Sequence, residues 1–192
     1  MWTGGWVRRR PPSGSADAPD DPRRGGYPTA ATTARMARVT DVFVAEAGSE
    51  PMRPVEAVEA VAGGGLRGDR YCTGRGFYSP VDVCQVTLIA RKAIEAIARE
   101  HGLDLSTGDH RRNLVTAGID VHDLLDRRFR IGTALFAGTR PRPPCSHVED
   151  LAEEAGVAAA LGDGRGGICA DVIESGRIEV GDAIRTAGPG ST

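Results

Sequence analysis

Cys145 is the residue whose surroundings point most directly to chemistry. It follows Pro143-Pro144 and precedes a stretch, His147 to Ala155, that reads as a short helix with Ser146 as N-cap and Glu149 completing a capping box. A cysteine in that position meets unpaired amides and the positive end of the helix dipole, which favour the thiolate. A thiolate is both a nucleophile and a ligand for soft metals, and His147 adds a second cationic group nearby. The same local sequence fits a structural cysteine in a loop equally well, because most free cysteines are buried and inert.

Two further clusters could hold an anion. In Arg111-Arg112-Asn113, two guanidiniums and an amide enter a strand together, which suits a phosphate or a polar heterocycle. In Gly65-Leu66-Arg67-Gly68-Asp69-Arg70 the glycines permit close backbone approach, and Asp69 can orient Arg67 or Arg70. Each also has a plain reading, a solvated charged turn for the first and a tight turn with a surface ion pair for the second. Gly164-Arg165-Gly166-Gly167 is similar, a turn or a loop against which a ligand can rest.

Other chemistries are excluded or disfavoured. The four cysteines, Cys72, Cys84, Cys145 and Cys169, form no CxxC pair and no zinc spacing. Cys84 and Cys169 fall in apolar strand patterns and are expected in the core, while Cys72 lies in a glycine-rich loop. With no secretory apolar region, free thiols in a reducing, cytoplasmic setting are expected. His101, His110 and His122 are scattered, so a catalytic zinc site is not indicated. There is no P-loop and no Gly-x-Ser-x-Gly elbow. Arg8-Arg9-Arg10 runs into Pro11-Pro12-Ser13-Gly14 rather than an apolar stretch, so it is no twin-arginine signal, and no segment is long enough to span a membrane. The net charge is −2; residues 1–38 carry seven Arg and three Asp, a local positive excess, so the body of the chain is acidic and has no footprint for nucleic acid.

These residues need a scaffold. Residues 1–38 are rich in Arg, Pro and Gly without apolar periodicity and are expected to be disordered, with Met36 a possible true start. One domain follows over 39–187, then a flexible 188–192. Strands are expected at Val39–Ala45, Val55–Val61, Val83–Leu88, Asn113–Thr116, Phe129–Phe136, Ile168–Glu174, Arg177–Val180 and Ala183–Thr186. A helix is expected from Ile89 to His101, with Ala93, Ile94 and Ile97 on one face and Gly102 as C-cap. Pro141–Pro144 should be loop. Short strands between glycine turns point to a mainly β fold with a few helices.

The ordered series is more specific than its parts. Gly65–Arg70, Gln85-Val86-Thr87-Leu88-Ile89, Arg111–Thr116, Gly118-Ile119-Asp120, Gly138-Thr139-Arg140-Pro141, Pro144-Cys145, Arg165-Gly166-Gly167 and Gly176–Asp182 resemble successive motifs of the MOSC domain family, named for the C-terminal domain of molybdenum cofactor sulfurases. The chain looks like the stand-alone bacterial members.

The resemblance implies a closed β-barrel of the pyruvate-kinase barrel-domain type with peripheral helices. It also implies a site for the molybdenum cofactor (molybdopterin), with Cys145 as ligand to molybdenum. Arg67, Asp69, Arg70, Arg111, Arg112, Asn113 and Arg165 would hold the cofactor; pyridoxal phosphate is not expected in this domain. By the same resemblance the activity would be reduction of N-hydroxylated compounds with an electron-donating reductase. The alternatives are a persulfide sulfur carrier fed by a cysteine desulfurase, and a barrel that binds or delivers the cofactor without turnover. Relatives often carry histidines after the Gly-Asp-Arg element; this chain has Tyr71-Cys72 there.

Overall fold

The computed structural model describes residues 36–77, 79 and 84–186. Most of the expected N-terminal tail, Val83 and the 188–192 segment lie outside the described residues. Eleven strands are found among them. These are β1 (Arg38–Val44), β2 (Arg53–Val55), β3 (Ala57–Val61), β4 (Gly65–Leu66), β5 (Val86–Ala90), β6 (Leu114–Ala117), β7 (Arg128–Ile131), β8 (Ala134–Pro141), β9 (Ile168–Glu174), β10 (Gly176–Glu179) and β11 (Ile184–Thr186). The helices are α1 (Arg91–His101), α2 (His147–Ala152) and α3 (Val157–Ala160), with a 3-10 turn at Val121–Leu124.

The strands form two sheets. The larger has the order β11-β7-β8-β9-β5-β6-β1-β2, and the smaller is β10-β3-β4. β5 and β6 run parallel, joined by the crossover through α1, while every other neighbouring pair is antiparallel. The closed barrel implied by the resemblance is therefore corrected to open, mixed sheets. The reason lies at β1. One side of this strand pairs with β6, and its far end, Val42–Val44, already pairs with β2. β11 and β1 share no ladder: an isolated bridge, Arg38 to Ala183, and the main-chain bonds beside it join the segments without closing the sheet.

Side chains alternating across the large sheet feed two cores. Val42, Val44, Val86, Leu88 and Leu114 join Phe129, Phe136 and the small-sheet residues Val58, Ala60 and Ile178 in one cluster. Phe43, Ile89 and Val115 point the other way, against Ile94 and Ile97 of α1, Val148 of α2 and Val157 of α3. β5 is buried over its whole length because both faces are covered.

Local expectations differ from the structure in instructive places. Phe129–Phe136 is not one strand: Gly132-Thr133 turns the chain, and β7 pairs back on β8. Val55–Val61 likewise splits, its first part pairing with β1 and the rest with β10. Ile89 and Ala90 end β5 rather than starting α1, while Gly102 caps α1 in the left-handed conformation, its N–H bonded to the Ala98 carbonyl. β8 extends to Pro141, at its end, paired with Ile168. The capping box does not form. Ser146 makes no side-chain cap, and the Glu149 carboxylate instead accepts from the N–H groups of Gly156 and Ala158, at the start of α3.

Cys84 and Cys169 are core residues as expected, but the free thiols predicted for them are corrected: they form a disulfide, with Cα atoms 5.5 Å apart. Their strand neighbourhood brings this about, since Cys169 is directly opposite Thr87 in the β5–β9 pairing. Among the described residues no helix is long and apolar enough to cross a membrane.

Candidate anion and metal-ligand pocket

The site is built on a buried polar frame. Asn113, at the head of β6, is fully buried. Its Oδ1 accepts from the main-chain N–H of Thr87 (3.1 Å) and from the Thr87 hydroxyl (2.8 Å). Its Nδ2 donates to the Phe43 carbonyl (3.1 Å) and to Asp69 Oδ1 (3.0 Å). Asp69, also fully buried, further accepts from Ala45 N–H, Tyr71 N–H and Arg70 Nη1. Every polar atom of this frame has a partner, as interior groups require. It ties β1, β5, β6 and the 67–76 loop together and fixes what those elements carry.

What they carry is a wall of guanidiniums. Arg70, Arg111, Arg112 and Arg142 line one pocket together with Tyr71, Phe77, Cys145 and His147. No carboxylate is among the described residues on that wall. Arg112 is 5% exposed and donates only to backbone carbonyls: Nε to Gly166 (2.6 Å), Nη1 to His110 (2.9 Å) and Nη2 to Arg142 (3.4 Å). Burial, then the charge of Arg142, pulls its pKa down to about 9. Arg111 holds a left-handed backbone (φ 60°) and donates to the carbonyls of Gly48 and Glu50. Burial, then Arg70, lowers its pKa to about 10. Both remain cations at neutral pH. A buried guanidinium that donates only to neutral carbonyls, as Arg112 does, favours an anionic occupant beside it.

Cys145 is a free, half-buried thiol on the same wall. His147 stacks on Phe77 with ring centroids 3.8 Å apart, and its buried Nε2 has no hydrogen-bond partner. The pocket comprises about 480 Å³ of empty space, its open mouth included. A thiol, four guanidiniums and an unpartnered imidazole nitrogen fit an anionic group that also carries a thiophilic centre.

The expected site residues divide. Cys145, Arg70, Arg111 and Arg112 come together on the wall. Asp69 and Asn113 stand behind it as the frame. Arg67 lies elsewhere, 65% exposed and paired with Glu59; Asp69 orients Arg70 rather than Arg67. Arg165 pairs with Glu100 and borders a different cavity beside Lys92 and His122, although the carbonyl of its neighbour Gly166 holds Arg112. Cys72 is not on the pocket wall. Arg142 and Phe77 were not singled out from the sequence. Arg142 had a signal, a guanidinium three residues before Cys145 in a proline-stiffened run; Phe77, an aromatic in a glycine-rich loop, had none.

A family model described as "MOSC domain" matches residues 78–185. Among solved structures, the YuaD protein from Bacillus subtilis aligns with a TM-score of 0.66 at 18% identity, covering 79% of this chain and 95% of that one. YiiM from Geobacillus stearothermophilus gives 0.63 at 17% identity, covering 81% and 77%, and YiiM from Escherichia coli gives 0.59 at 20%, covering 81% and 72%. At such identities the likeness to these structures concerns the fold. No curated protein matches the sequence.

Proposed function

The chain belongs to the MOSC domain family, and from that premise we propose that it binds the molybdenum cofactor in the arginine-walled pocket and reduces N-hydroxylated compounds, with Cys145 as thiolate ligand to molybdenum. The observation that carries this reading is Arg112. A buried guanidinium whose hydrogen bonds all end on neutral carbonyls shares a wall with a free thiol. Such a guanidinium favours a dianionic phosphate beside it.

When bound, the cofactor supplies two-electron chemistry at molybdenum. The chain's own residues supply the rest. Arg111 and Arg112 neutralise the anionic groups. Arg70, locked by Asp69, donates to the Arg111 carbonyl and so holds the backbone that carries that guanidinium. Cys145 provides a soft donor. The net reaction takes an N-hydroxylated base, two electrons and two protons to the amine and water, so an electron-donating reductase is the required partner. The test is turnover. Full-length protein from a host that makes the cofactor, reduced by an artificial donor, converts an N-hydroxylated base to its amine, and Cys145→Ala does not. Metal-loaded protein that fails to turn over any such base excludes the reading.

The partial exposure of the Cys145 thiol also favours a second reading, a persulfide carrier. It predicts a single-sulfur mass adduct on Cys145 after incubation with a cysteine desulfurase. Absence of the adduct removes it.

A further inference from the structure

We propose that Tyr71 is a ligand-recognition residue of this pocket, donating its phenol hydrogen to an oxygen atom of the bound molecule and so selecting an oxygen-bearing ligand over one that lacks the oxygen. The proposal rests on the pocket being the ligand site argued above, and adds to it a further residue of its wall.

The ring is held in place. A Cβ on Gly76 would stand 2.9 Å from Cδ1 and Cε1 of Tyr71, so the loop is cut to admit the ring. The Arg70 guanidinium carbon lies 4.6 Å from the ring centroid, in cation–π contact. Arg70 is itself fixed by Asp69 (3.0 Å) and by the Arg111 carbonyl (3.1 Å). The main-chain N–H of Tyr71 donates to Asp69 Oδ2 at 3.1 Å, so the same carboxylate positions backbone and ring together.

The phenol oxygen then falls among cations. It accepts from Arg142 Nη2 at 3.3 Å, and Arg70, Arg111 and Arg112 line the same pocket. Guanidiniums are donors only. Among the described residues nothing accepts the phenol hydrogen, which is left for the occupant of the pocket. With its oxygen already receiving from Arg142, the hydroxyl is oriented as a donor. A hydroxyl held this way favours an oxygen acceptor, and its loss weakens binding by about tenfold for one neutral hydrogen bond. On the proposed reaction, the oxygen is that of the substrate's N-hydroxyl, which the amine product no longer carries.

Tyr71→Phe removes one oxygen and leaves the ring and its contact with Arg70. In the first arm, full-length protein without cofactor is titrated calorimetrically with inorganic phosphate and with molybdate. The wild type is expected to bind, and Y71F to bind about tenfold more weakly at an unchanged thermal midpoint. In the second arm, the loaded enzyme is expected to show a similar rise in KM for an N-hydroxylated base, with no change in inhibition by the amine. Wild-type affinity of Y71F for both oxyanions, no measurable binding by the wild type, or an unchanged KM in an active enzyme each overturns the proposal. The first arm needs no molybdenum. A loaded protein without turnover therefore sinks the reductase reading alone, and the role of Tyr71 is decided by the titrations.

Discussion

Asn113 Nδ2 donates to Asp69 Oδ1 across 3.0 Å, joining two fully buried residues 44 positions apart in the chain. This bond links the Arg-Arg-Asn element to the Gly-Asp-Arg element. It explains why the guanidiniums of two distant motifs face one pocket.

Asp69 should accordingly matter for stability before it matters for ligand binding. Asp69→Ala leaves the Arg70 charge buried and unpaired and strands the N–H groups of Ala45 and Tyr71. A loss of about 3–5 kcal/mol is expected for breaking a buried pair from one side. Urea denaturation monitored by circular dichroism checks it. A loss below about 1 kcal/mol contradicts the frame assigned here.

His110 predicts an acid-side slope. Burial, followed by the charges of Arg112 and Arg111, lowers its pKa from 6.5 to about 3. The folded state therefore refuses a proton that the unfolded chain accepts between those values. Stability is whole above pH 6.5 and falls on acidification toward pH 3, by at most about 1.4 kcal/mol per pH unit from this group. His110→Gln removes the titration and should flatten the difference curve in that window. Parallel wild-type and variant curves contradict the assignment.

The Cys84–Cys169 disulfide closes a loop with a sequence separation of 85. Chain-entropy reasoning gives it about 4–5 kcal/mol. Reductant strong enough to open it should lower the thermal midpoint by roughly 10 °C or more, and the Cys84→Ala, Cys169→Ala double variant should behave alike with or without reductant. A midpoint in the wild type that ignores complete reduction removes the stabilising role.

Much of this was legible in the sequence, and the exceptions have physical causes. Ile168–Glu174 was read to the residue because alternation and turn glycines agree there. The β7–β8 hairpin was missed because Gly132-Thr133 sits between the apolar Phe129, Ile131, Leu135 and Phe136, and the turn shows only in the left-handed backbone of Gly132 (φ 56°) and the pairing of β7 back on β8. Barrel closure came with the resemblance and was misjudged because whether the edge strands β11 and β2 meet is a long-range pairing that leaves no trace in local sequence. The Ser146–Glu149 pattern had the right residues, yet α3 competes for the Glu149 carboxylate. In the site, the motif arginines Arg111 and Arg112 were visible. The division between wall residues and frame residues was not, because Asp69 and Asn113 look as polar in sequence as the groups they support.

The proposed binding of molybdenum by Cys145 and the arginine wall is tested most directly by elemental analysis of the full-length chain, purified from a cofactor-producing host beside Cys145→Ala. Molybdenum near one atom per wild-type chain and a clear loss of metal in the variant are expected. Metal-free wild-type protein, or undiminished molybdenum in Cys145→Ala, contradicts the proposal.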